Sequence, residues 1–151
     1  MVIPKNQFAE DRTIDPLNLQ EEFLKQPGLF YYYAKQVEDA EDILRKAKLE
    51  LEVWIADKKK RLIERAKDLG ERPTAGIIEI EMKTHAKWRR LKTKVMKAQR
   101  ELGLLKTAKD TMSEKRSSLM MLGAMYRENP EIFTSEKSAR KKGNRKNKRG
   151  K

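Results

Sequence analysis

Lysine and arginine side chains dominate the residues of this chain that could do chemistry, and they are concentrated in one part of it. Positions 56–100 hold 15 Lys or Arg against 6 Asp or Glu, whereas positions 1–55 hold 7 against 11. Clustered cations attract a polyanion, and nucleic acid is the usual one. The candidate nucleic-acid-binding residues are Lys58, Lys59, Lys60, Arg61, Arg65, Lys83, Lys87, Arg89, Arg90 and Lys94. A helix face that only contacts solvent can look the same, so both interpretations stay open at this point.

The sequence offers few residues for catalysis. His85 is the only histidine and there is no cysteine, so a metal site is not expected. Ser113, Ser117 and Ser118 have no nearby base that could activate them. No glycine-rich phosphate loop is present. We therefore predict a protein that is not an enzyme and needs no cofactor, with His85 in a capping or surface role.

The aromatic residues have two possible uses. Trp54, Trp88 and the run Tyr31, Tyr32 and Tyr33 could stack on unpaired bases. Both tryptophans lie on apolar seams, however, which favours packing in the core. Three consecutive tyrosines cannot share one helix face, so at least one should contact solvent or a partner.

Two long amphipathic helices should position these side chains. Apolar residues recur every three or four positions from Leu29 to Gly70 and from Thr84 to Glu128. Gly70 is a plausible C-cap, and Asn129-Pro130 should end the second helix. The first seam begins Phe30, Tyr33, Val37, Ala40, Leu44, Ala47, Leu51 and Trp54, then shifts register to Ile55, Leu62 and Leu69. The second comprises Trp88, Leu91, Val95, Ala98, Leu102, Leu105, Met112, Leu119 and Leu122, with Lys109 and Arg116 as interruptions.

Shorter elements should flank the long helices. Asp15-Pro16 predicts the start of a short helix, and Pro27-Gly28 should end it. Thr74 can cap a short helix through Met82, although the alternation of Ile78, Ile80 and Met82 could also be a strand. We favour the helix, because a lone strand would lack a partner. Residues 1–14 are expected to be irregular.

The expected fold is an all-α, long antiparallel helical hairpin that oligomerises through helix packing. Residues 15–133 would form the helical DNA-binding and oligomerisation domain, and the hairpin would bring both basic stretches near its turn. Residues 134–151 hold 9 Lys or Arg against 1 acidic residue and should form a disordered basic tail. No stretch is apolar enough for a membrane span, and no signal peptide is recognisable, so we expect a soluble cytoplasmic protein.

Two short strings within this pattern resemble the recombination mediator family of tailed phages, the UvsY family. Lys59-Lys60-Arg61-Leu62 is similar to the family's Lys-x-Arg-Leu stretch, which is implicated in binding single-stranded DNA. Glu81-Met82-Lys83-Thr84 resembles the string that opens the following helix. The resemblance covers roughly residues 15–128, and the basic tail departs from it. Lys59 and Arg61 are the matched DNA-contacting positions.

The resemblance implies a role in phage DNA recombination, repair and replication, in the host cell cytoplasm. The protein would form a ring of six or seven subunits that binds single-stranded DNA, a RecA-like recombinase and a single-stranded DNA-binding protein. It would help to load the recombinase onto strands that the binding protein already coats. The alternatives are a basic helical hairpin that binds RNA and a structural scaffold protein.

Overall fold

The computed structural model describes residues 5–70, 72 and 74–130, and every element in them is helical. Helix α1 spans Lys5–Arg12, α2 spans Leu19–Asp68, α3 spans Ala75–Thr84 and α4 spans Ala86–Glu128. The chain divides into two compact units. Unit 1 combines Met1–Lys35 with Thr107–Lys151, as far as these are described, and unit 2 is Gln36–Lys106.

Helices α2 and α4 pack antiparallel within each unit. In unit 1, Glu22 pairs with Lys115, and Gln26, one turn later, bonds to Met112. In unit 2, Glu41 pairs with Lys106 and Glu50 with Lys94. Later residues of α2 therefore contact earlier residues of α4, so the two helices run in opposite directions. The predicted all-α antiparallel hairpin with short additional helices is confirmed.

The core of unit 1 is built around Tyr33. This residue is completely buried and forms one cluster with the buried residues Ala108 and Met112. The hydroxyl of Tyr33 donates a hydrogen bond of 2.8 Å to Asp11 Oδ2. Burial, followed by this hydrogen bond to Asp11, raises the pKa of Tyr33. The other two tyrosines of the run differ, because Tyr32 is half-buried while Tyr31 is 69% exposed. This confirms that the three do not share one environment.

The core of unit 2 is formed by small and branched side chains. Helix α2 contributes Val37, Ala40, Ala47, Leu62 and Ala66, α3 contributes Met82, and α4 contributes Leu91, Val95, Ala98, Leu102 and Leu105. The second predicted seam is thus confirmed over this stretch. The alanines leave room for the backbones of the two long helices to approach each other.

The seams differ from the prediction at both ends. Phe30 is 39% exposed and Leu69 is 65% exposed, so neither belongs to the core. In unit 1 the buried positions of α4 are Ala108, Met112, Lys115 and Leu119. The predicted interruption at Arg116 was wrong, since Arg116 is exposed and Lys115 instead lies in the interior.

The first fourteen residues are not irregular throughout, because Lys5–Arg12 forms α1. The ring of Phe8 packs edge-on against Tyr33, with ring centroids 6.0 Å apart. Lys115 Nζ donates to the main-chain carbonyls of Asp11 and Thr13, at 2.7 and 2.8 Å. The helix is therefore fixed by contacts with residues far away in sequence, which local patterns do not reveal.

Pro27-Gly28 does not end a helix, contrary to the prediction, because α2 runs through both residues. Pro27 has no N–H to donate to the carbonyl of Phe23, so one helical hydrogen bond is lost. Residues on both sides of the proline are held by tertiary contacts. Gln26 is 4% exposed and its Nε2 donates to the main-chain carbonyl of Met112, and Tyr33 lies in the core. Asp15 caps a turn rather than the helix, since its Oδ1 accepts from Leu17 N.

The breaks between the later helices agree with the sequence signals. Gly70 follows α2 with φ 69°, a left-handed conformation that glycine adopts without strain. The side chain of Thr74 accepts from Ile77 N, so the predicted cap and helix are confirmed and the alternative strand is wrong. Helix α4 ends at Glu128, directly before Asn129-Pro130. None of the described helices is both long and apolar enough to cross a membrane.

Two predictions lie beyond these observations. Residues 134–151, the expected disordered tail, lie outside the described residues. Oligomerisation through helix packing remains a prediction.

Candidate nucleic-acid interface

All ten candidate residues lie in unit 2, on three different helices. Lys58, Lys59, Lys60, Arg61 and Arg65 are on α2, Lys83 is on α3, and Lys87, Arg89, Arg90 and Lys94 are on α4. Nine are exposed, and Lys58 is half-buried. The hairpin therefore places cations that are distant in sequence in one compact unit.

One stripe of α2 organises this region. Glu50, Trp54 and Lys58 are four residues apart and so share one face of the helix. Along this face, Glu50 pairs with Lys94 of α4 at 2.5 Å, and Lys58 pairs with Glu81 of α3 at 3.7 Å. Between them the ring of Trp54 packs against His85, with centroids 5.3 Å apart. The stripe thus contacts α4, the α3–α4 junction and α3 in turn.

The first group of cations surrounds Glu50. Its carboxylate accepts a hydrogen bond from Lys94, and Arg90 and Lys87 lie close enough for their charges to act on it. The hydrogen bond and charge of Lys94, followed by the charges of Arg90 and Lys87, lower the pKa of Glu50. Three cations on α4 thus act on the carboxylate of Glu50.

The second group lies where α3 meets α2. Glu79 pairs with Lys83 one turn away at 2.5 Å, and the charge of Lys59 on α2 also acts on it. The hydrogen bond and charge of Lys83, followed by the charge of Lys59, lower the pKa of Glu79. Arg89 Nη2 donates to the carbonyl of Thr84 at 3.2 Å, so it adds a cation at the end of α3.

The ion pairs divide the ten candidates into two classes. Lys58, Lys60, Lys83 and Lys94 are each paired with a carboxylate, Lys60 with Glu64 at 3.9 Å. A phosphate that binds these four must compete with a carboxylate. No ion pair within 4.0 Å joins the other six to any residue in the described part of the chain, namely Lys59, Arg61, Arg65, Lys87, Arg89 and Arg90.

An open groove lies beside the first group. Its volume is about 520 Å³, and its lining includes Ile43, Glu50, Arg90, Thr93, Lys94 and Lys97. Thr93 and Lys97 were not among the predicted site residues. Lys97 lies three and seven residues after Lys94 and Arg90, so the helical period could have placed it on the same face.

Sequence reasoning also missed acidic partners of the site, among them Glu50, Glu79 and Glu81. The pairing of Glu79 with Lys83 follows the usual helical spacing of four and could have been predicted. The pairings of Glu50 with Lys94 and Glu81 with Lys58 could not, because they depend on the register of one helix against another.

The aromatic and histidine side chains have structural roles here. Trp54 and Trp88 are half-buried, and one ring contact of Trp54 is with His85. His85 separates α3 from α4, and its Nδ1 accepts a hydrogen bond of 3.1 Å from Lys87 N. The expected capping role of His85 is confirmed. Among the described residues, no group of three or more His, Cys, Asp or Glu side chains could hold a metal ion.

The string Glu81-Met82-Lys83-Thr84 was expected to open a helix, but it forms the last turn of α3. His85 is extended, with φ −69° and ψ 131°, and α4 begins only at Ala86. This ψ is far from the helical value, so His85 interrupts the helix between α3 and α4. By contrast, Lys59-Lys60-Arg61-Leu62 lies within α2, with Leu62 buried and the three basic residues exposed.

Comparison with known proteins does not assign the chain to a family. No protein-family model matches it. No curated protein and no solved structure is significantly similar to it.

Proposed function

We propose that this protein is a recombination mediator that binds single-stranded DNA as a homo-oligomer. It would help to load a RecA-like recombinase onto strands coated by a single-stranded DNA-binding protein. The observation that carries the proposal is the gathering of cations from α2, α3 and α4 in unit 2. The proposal also draws on the resemblance of residues 59–62 to the DNA-binding stretch of the mediator family.

The binding step depends on phosphate contacts. Lys59 and Arg61 are exposed, belong to the matched stretch and have no ion pair within the described residues, so they are the first candidates to bind phosphate. Such contacts release condensed counterions and weaken as salt rises. They carry no sequence information, which suits a protein that must act on any strand.

Self-association would strengthen this binding. A single copy offers only a few phosphate contacts, and each alone is weak. Several linked copies hold one strand with a high effective concentration, so that avidity exceeds the affinity of any one copy. A strand bent across several copies would be held in a shape that disfavours the competing coat protein. This step needs neither nucleotide nor metal.

Recruitment of the recombinase would use a different surface. The first 55 residues have a net charge of −4, so this acidic arm is unsuited to DNA and is available to a protein partner. Exposed carboxylates such as Glu38 and Asp39 lie on this part of α2. The ring surface itself is the other candidate.

The DNA-binding step is tested with Lys59→Ala combined with Arg61→Ala. We expect the affinity for a single-stranded oligonucleotide to fall and its salt dependence to flatten. Each lost phosphate contact removes about 0.7 from the slope of log affinity against log salt, so the double variant should lose about 1.4. Fluorescence anisotropy at several salt concentrations measures both quantities. An unchanged slope would contradict the assignment.

Competition distinguishes the proposal from an RNA-binding hairpin. Unlabelled single-stranded DNA should displace the labelled oligonucleotide from the wild-type protein better than duplex RNA of equal length does. A preference for duplex RNA would exclude the mediator interpretation.

The matched control for the Lys59 and Arg61 substitutions is Lys46→Ala with Lys48→Ala, because these exposed lysines lie on α2 outside the candidate site.

A further inference from the structure

Helix α3 presents two large apolar side chains to solvent in the middle of the cationic region. Ile77 is 58% exposed and Ile80 is 66% exposed. They are three residues apart and therefore lie on one face of the helix. Lys83, three residues further on, continues the same row.

Helix α3 packs against the core of unit 2 through other side chains than these two isoleucines. Met82 is 5% exposed and Ile78 is half-buried, so these two, four residues apart, form the inward face. Ile77 and Ile80 lie on the other side of the helix and add nothing to that core. Two exposed isoleucines on a helix of ten residues are an unpartnered apolar face.

Cations from α2, α3 and α4 lie beside this helix. Lys58 of α2 pairs with Glu81, and the charge of Lys59 acts on Glu79. Lys83 lies in the last turn of α3, and Arg89 of α4 donates to the carbonyl of Thr84. The two acidic residues of α3 are thus neutralised by neighbours. A ligand that is complementary to this surface would have an apolar part to cover Ile77 and Ile80, and negatively charged groups next to it.

A single-stranded nucleic acid has this combination, because its bases have apolar faces and its backbone carries phosphates. Isoleucine is among the side chains that proteins insert against or between bases. The aromatic side chains of this region are less suited to that role, since Trp54 packs on His85 and Trp88 is half-buried. Ile77 and Ile80 of α3 are exposed apolar side chains beside these cations and can make that contact.

We propose that Ile77 and Ile80 contact the bases of the bound strand, while Lys59 and Arg89, which have no ion pair within the described residues, bind the adjacent phosphates. This inference rests on the proposed function and identifies the side chains that contact the bases. Apolar contacts release no counterions, so they add affinity without adding to the salt dependence. They also give the site a way to recognise an unpaired strand, because the bases of a duplex are stacked and shielded.

The experiment compares two oligonucleotides of equal length, oligo(dT) and an abasic strand with the same phosphates. The wild-type protein should bind oligo(dT) more tightly. Ile77→Ala combined with Ile80→Ala should weaken binding to oligo(dT) by roughly tenfold, near the lower end of what one base stacked on an aromatic side chain contributes. Its binding to the abasic strand and its salt slope should not change, whereas the Lys59 and Arg61 variant should lose slope on both strands.

The matched control is Leu24→Ala combined with Met121→Ala, which removes two apolar side chains that are 75% and 67% exposed in unit 1. It should bind both strands like the wild type. Circular dichroism and native mass should show that the α3 variant keeps its helicity and assembly. The inference would be overturned if the wild type bound both strands equally, or if the α3 variant still preferred oligo(dT) to the abasic strand as strongly as the wild type does. A changed particle mass of the α3 variant would also overturn it. The last result would make α3 a subunit contact.

Different outcomes contradict the proposed function and the role of α3. If the wild-type protein binds neither strand at low salt, the proposed function is wrong. If it binds both strands equally well, the function stands and the role of α3 is wrong.

Discussion

Single carboxylates determine how much of the positive charge in unit 2 is available to a ligand. Glu50 pairs with Lys94 and lies within the fields of Lys87 and Arg90. A phosphate that approaches these cations must displace or tolerate the carboxylate. Net charge alone therefore overstates the site, because a paired lysine is a weaker phosphate ligand than an unpaired one.

Removal of the Glu50 charge should strengthen DNA binding. In Glu50→Gln, Lys94 no longer has an anionic partner and can bind a phosphate instead. We expect the affinity for single-stranded DNA to rise at least severalfold at low salt, and the salt slope to steepen by about 0.7 for one additional contact. Anisotropy titrations at pH 7 measure both. At this pH the wild-type carboxylate is charged, since its pKa is below the ordinary glutamate value.

The control for this substitution is Glu52→Gln, which removes an equal charge from an exposed position two residues away on α2. A general change in net charge would raise affinity in both variants alike. If Glu52→Gln gave the same increase as Glu50→Gln, the specific role of the Glu50–Lys94 pair would be excluded.

At the scale of elements, the position of α1 depends on one buried lysine of α4. The side chain of Lys115 is 4% exposed, and its Nζ lies 2.7 Å from Glu22 Oε2 while also donating to the carbonyls of Asp11 and Thr13. All three ammonium donors thus have acceptors, which is the condition for burying such a charge. The acceptors come from α2 and from the end of α1, so Lys115 connects three elements of unit 1.

Lys115→Met should destabilise the protein by about 3–5 kcal/mol, as expected when one partner of a buried ion pair is removed. The variant leaves the Glu22 carboxylate and two carbonyls without their donor. Urea unfolding at fixed protein concentration measures the free energy of unfolding. Arg116→Met, at the exposed neighbouring position, is the control and should change it little. A loss below about 1 kcal/mol for Lys115→Met would mean that solvent replaces the lysine.

The elements that could be predicted are those fixed by local signals. Thr74 and Gly70 mark the limits of α3 and α2 because a cap and a left-handed glycine act within a few residues. Helix α1 and the passage of α2 through Pro27 could not be predicted, since both depend on contacts with Met112 and Lys115 some 85 to 105 positions away. The candidate site follows the same rule. Its cations were evident from the sequence, but their carboxylate partners on other helices were not.

At the scale of the whole molecule, charge is distributed so that different parts of the chain attract different partners. Residues 1–55 have a net charge of −4, residues 56–100 of +9 and residues 134–151 of +8. Two separate basic regions could each draw in a strand. The proposal assigns specific contacts to the first region, where helices hold the cations in fixed positions. The last region would then add long-range attraction, which salt screens.

Removal of residues 134–151 tests this division. We expect the shortened protein to bind single-stranded DNA with lower affinity at low salt and a shallower salt slope, because up to nine cations are lost. The Lys59 and Arg61 substitutions should still weaken binding in the shortened chain, by about the same factor as in the full chain. A full-length chain with glutamine at the nine basic positions separates the effect of charge from that of length. If the shortened protein lost all binding, the helical cations would be insufficient, and the site would have to be assigned to the last eighteen residues.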